Sequence, residues 1–176
     1  MLFRRKPKDE HRARGFVKQV FALGRETSGS YAKILENSGI TFPLTIDLSA
    51  EVSLALLGTS LGLLKGHTLV VPRARGVEIE SWCKQSIECD YEYSREEASG
   101  LIEAIDEYQE AVERAMQSSA NPFAEISGLM LVRALGPQVR SICVGDTDVL
   151  NPFIHMVVGD TLTITITGAL GYWKGQ

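Results

Sequence analysis

Cysteine is scarce in this chain. Cys83, Cys89 and Cys143 are the only three, an odd number without paired spacing. That excludes a disulfide scaffold and fits a reducing compartment. Cys83 and Cys89 lie too far apart for a structural zinc site, and the most acidic segment has no histidine among its carboxylates. Neither a metal nor another cofactor is therefore expected. Long apolar runs are missing too. The longest, Val52 to Leu64, is interrupted by Gly58, Thr59, Ser60 and Gly62, and it stops at Lys65, short of a membrane span. The basic start at Arg4 is not followed by an apolar core and cleavage site, so no secretory signal is expected and the protein reads as cytoplasmic. No charge of one sign dominates. The formal net charge is −4, which argues against nucleic acid as the main partner.

What is present suits one globular domain. The 176 residues are 44% hydrophobic and 23% charged, enough for a single core and too short for two comfortable ones. The organisation expected is a basic N-terminal tail over 1–14, with Arg4, Arg5, Lys6 and Lys8 at its head, then a single domain over 15–176.

The clearest pattern spans Ser94 to Gly136 and reads as a helical hairpin. Ser94 followed by Glu97 is a capping box. Ala98, Leu101, Ile102, Ile105, Tyr108, Val112, Ala115 and Met116 then recur at three- and four-residue steps, so they share one helix face. Glu103, Asp106, Glu107, Glu110 and Glu113 fall on the other face. Asn121-Pro122 starts a second helix, as cap and first-turn proline, and Gly136-Pro137 ends it. Apolar residues surround this second helix, which predicts a central helix covered by the acidic one.

Elsewhere the signals are shorter. Phe16, Val17, Val20 and Phe21 suggest a helix over 11–23, and Ser30 starts another after a break at 24–29. That break has the glycine spacing of a phosphate loop, but Ser30 stands where the phosphate-binding lysine belongs. Alternating residues predict strands over 42–48, 68–71, 77–82 and 139–144, and a β-hairpin pairing 153–158 with 161–167. The run from Val52 to Leu64 fits either a strand or a helix. The fold class expected is α+β: an antiparallel or mixed sheet packed against the hairpin at about 94–135 and the N-terminal helices.

Three functions are open to such a chain. The leading expectation is a non-catalytic protein-binding subunit or adaptor that self-associates. Its contacts would come from the acidic residues Glu103, Asp106, Glu107, Glu110 and Glu113 and from the aromatic pair Tyr172 and Trp173. The alternative is a small serine hydrolase. Gly58-Thr59-Ser60-Leu61-Gly62 matches the pattern that places a serine on a tight strand-to-helix turn, and Asp148 then His155 follow in hydrolase order. The third is contact of the basic tail with anionic membrane or nucleic acid.

Overall fold

The computed structural model describes residues 8–37, 48–66, 70–118, 122–135 and 163–173. Helices follow in the order α1 (Lys8–Asn37), α2 (Leu48–Gly66), α3 (Arg73–Asp90), α4 (Arg95–Ser118) and α5 (Pro122–Leu135). A further helical stretch covers 163–171. No strand occurs among the described residues, so the protein is a helical bundle and the expected α+β class with a β-sheet is incorrect.

The helical hairpin is where the pattern placed it. Ser94 N–H donates to Glu97 Oε2 at 2.8 Å, and Glu97 N–H donates to Ser94 Oγ at 3.2 Å. These bonds satisfy two backbone donors at the start of α4 that the helix itself cannot. The buried stripe is Ala98, Ala104, Ile105, Tyr108, Ala111, Val112 and Ala115.

The central helix is α2, not α5. It packs against α1, α3, α4 and α5, whereas among the described helices α5 packs only on α4 and α2. Thirteen of its residues are buried, running almost without a gap from Val52 to Gly62. A helix apolar on all sides must be enclosed on all sides, and the ambiguous run Val52 to Leu64 is that helix. The helix is long and apolar enough to cross a membrane, but 72% of its 18-residue apolar window is buried in the bundle, as in a core helix.

Two of the expected strands are helices. In α3 the buried residues Gly76, Ile79, Cys83, Ser86 and Ile87 follow a helical repeat, while Val77 is exposed, so the strand at 77–82 does not form. Over 163–171 the Ile-Thr alternation gave way to a different spacing: Ile166, Ala169 and Trp173 are buried together, three and four residues apart. Thr167 Oγ1 donates to the Thr163 carbonyl at 2.7 Å, which satisfies its hydroxyl inside a helix. The strand at 42–48 lies outside the described residues except for Leu48, which opens α2, and of 68–71 only Val70 and Val71 are described, in the turn before α3. The strands at 139–144 and 153–158 lie outside them altogether.

The break expected at 24–29 is also absent, because α1 is continuous. Gly24 marks a close approach instead. A Cβ there would lie 2.7 Å from Ser53 Cα, so α1 and α2 touch at a point where only glycine fits.

Candidate functional site

Gly58, Thr59, Ser60, Leu61 and Gly62 lie inside α2, and Ser60 is fully buried. A nucleophile elbow needs a sharp turn that exposes the hydroxyl, and mid-helix Ser60 has neither. The glycines serve packing. A Cβ on Gly58 would stand 2.6 Å from Tyr108 Cβ and 2.7 Å from the Ile105 carbonyl oxygen. Gly62 faces Val112 and Gln109, and Gly66 faces Met116. Glycines four apart thus form a groove that receives α4. Asp148 and His155 lie outside the described residues.

The acidic face of α4 is largely occupied by the protein's own cations. Asp106 accepts from Lys84, Glu107 from Arg133, Glu110 pairs with Arg114, and Glu113 lies 3.7 Å from Lys65. Glu103 is the one without such a pair among the described residues. Most of this face is therefore neutralised in place.

Apart from Glu110–Arg114, which lies within α4, these pairs belong to the polar seams that stitch the bundle, of which three stand out. Between α1 and α3, Arg75 donates to both Asp9 oxygens, at 2.8 and 2.9 Å. That fork holds the Asp9 carboxyl below its ordinary value. Between α2, α3 and α4, Glu80 takes Lys65 at 3.0 Å and Lys84 at 2.8 Å, and Lys84 reaches Asp106. Burial works to raise the Glu80 carboxyl, but the two lysines outweigh it and hold it low. Between α2, α4 and α5, Glu51 Oε1 accepts from Tyr108 Oη and from Arg133 Nε. Burial, then the Glu51 charge, pushes the Tyr108 phenol far up. Apart from the i,i+4 pair Glu80–Lys84, sequence spacing hides these pairs, because their members are remote along the chain.

Tyr172 and Trp173 do not form an open patch. Trp173 is buried against Phe16, with ring centres 5.5 Å apart, and Tyr172 is half-buried beside both. Arg12 lies over both rings and donates to the Tyr172 carbonyl, while Tyr172 Oη donates to the Arg12 carbonyl at 3.1 Å. The aromatic pair closes the C-terminal stretch onto α1. In the basic tail, Arg4, Arg5 and Lys6 lie outside the described residues, and Lys8 is exposed at the start of α1.

The open feature is a cleft of about 570 Å³ where α2 ends between α3 and α4. Lys65, Arg73, Val77, Glu80, Glu113 and Met116 line it. Val77 and Met116 are 50% and 39% exposed, large apolar side chains turned to solvent. Arg73 is the first residue of α3, which has no acidic residue in its first turn and no side-chain cap. A cation at the positive end of a helix gains nothing from the helix dipole. The charged lining is mixed, Lys65 and Arg73 against Glu80 and Glu113, around the apolar pair Val77 and Met116. The sequence masked this site by mistaking 77–82 for a strand.

Comparison with protein-family models, with curated proteins and with solved structures gives no significant match.

Proposed function

We propose that this protein is a non-catalytic binding subunit that works through protein–protein contacts, self-association included, and that the cleft between α2, α3 and α4 receives the partner. The observation that carries this reading is the exposure of Val77 and Met116 within one concave surface. Large apolar side chains clustered in a recess with a charged rim are the usual make-up of an interface core. Arg73 and the uncapped start of α3 favour a partner segment that brings a carboxylate beside its apolar anchor. The acidic face of α4 contributes less, because most of its charges are already paired.

The test is light scattering after size exclusion, beside capture from the native source, on the wild type and on Val77→Glu and Met116→Glu. Both positions are exposed, so the fold should survive, as circular dichroism would show. Loss of the oligomer or of a captured partner in both variants supports the reading. Unchanged mass and capture in both would remove the cleft as the docking surface.

A further inference from the structure

A second, smaller cavity lies at the other end of α2. It measures about 160 Å³ and sits between α1, the first turns of α2, and the start of α4. Phe21, Leu54 and Leu101 form its apolar wall, and Arg25, Ser49 and Tyr93 its polar side. A void of about 150 Å³ is enough to hold one six-membered ring.

The wall beside it is an aromatic stack. Tyr91 and Tyr93 lie nearly parallel, 5.6 Å between ring centres and 13° between planes, and Phe21 packs on Tyr91 at 5.5 Å. Arg25 is the only charged residue among the described residues of the lining. It is exposed, and none of its nitrogens reaches a carboxylate among the described residues. Arg14, Arg75, Arg114 and Arg133 are each held by an acid, whereas Arg25, like Arg73 and Arg95, has no such pair among the described residues. An apolar recess about the size of one ring therefore opens beside a planar guanidinium that has no acid partner among the described residues.

We infer that this cavity binds a small organic monocarboxylate, with the carboxylate on Arg25 and a single ring or short branched chain between Phe21, Leu54 and Leu101. A guanidinium matches a carboxylate through two parallel hydrogen bonds, a geometry a neutral ligand cannot use. The cavity is too small for a nucleotide. It is also separate from the docking cleft, so either assignment can fail without the other.

The probe is benzoate, titrated into the full chain by calorimetry, with benzyl alcohol as the neutral analogue of the same size. The variants are Arg25→Gln, Arg25→Lys and the cavity-filling Leu101→Trp, each checked for its melting temperature. The wild type should bind benzoate saturably and prefer it to benzyl alcohol. Arg25→Gln should weaken benzoate by about tenfold or more, the value of one charge-assisted hydrogen bond. Arg25→Lys should retain part of the affinity, and Leu101→Trp should abolish binding. The inference is overturned by any of three results: no saturable benzoate binding by the wild type, equal affinity for the alcohol, or an Arg25→Gln variant that binds as well as the wild type.

Discussion

Replacing Gly58 by alanine tests the packing of α2 on α4 directly. In an open helix interior the change stabilises, because glycine costs about 0.8–1.0 kcal/mol relative to alanine. Here the new methyl would meet Tyr108 Cβ at 2.6 Å and the Ile105 carbonyl oxygen at 2.7 Å, inside van der Waals distance of a side-chain root and a backbone atom. Neither can swing away as a flexible side-chain tip does, so the two helices must separate. Overpacking of that kind costs about 1–3 kcal/mol, at the upper end where backbone must move. Set against the propensity gain, the net loss should be about 2 kcal/mol. For a chain of this size that lowers the melting temperature by about 4–8 °C. Gly100→Ala and Gly29→Ala are the controls. Both lie in helices, and a Cβ at either meets nothing within 4 Å. They should raise the melting temperature by a few degrees, opposite in sign to Gly58→Ala. Thermal unfolding followed at 222 nm reads all three. If Gly58→Ala proves as stable as Gly100→Ala, the close contact of α2 and α4 is wrong.

Two further outcomes follow from the seams and the cysteines. Asp9 and Glu80 titrate below their ordinary values in the fold, so they contribute stability above the unfolded carboxylate range, and that contribution is lost as pH falls through their lowered values. Acid unfolding should therefore be shallower in an Asp9→Asn, Glu80→Gln double variant, which is also less stable at neutral pH; an unchanged slope in urea melts between pH 7 and pH 3 would contradict the pairing. Cys89 is exposed and Cys83 is buried, its thiol pushed up by burial and then by Glu80. Iodoacetamide labelling with peptide mapping should find Cys89 modified in the native protein and Cys83 modified only after denaturation; equal rates would mean α3 does not pack on α1.

Periodicity was informative where it was long. In α4 the stripe from Ala98 to Ala115 and the reciprocal Ser94–Glu97 bonds follow from local sequence alone, since a capping box and a 3.6-residue repeat act within one helix. It misled where it was short. In the stretch from Thr161 to Thr167, β-branched residues alternate and favour a strand, yet 163–171 is helical, and helical spacing is what lets Ile166, Ala169 and Trp173 enter the core together. Glycine misled in the same way. Gly24 and Gly58 look like breaks or turns along the chain, but each sits where two helices nearly touch.

The sequence by itself determined the hairpin of α4 and α5, the acidic face and the buried character of Val52 to Leu64, because each depends on neighbours within a few turns. The tertiary structure alone decided that the acids of α4 meet Lys65, Lys84 and Arg133, that Trp173 is covered, and that Val77, Met116 and Arg25 border open space. Pairings between helices depend on how those helices cross, and packing of the whole core fixes the crossing.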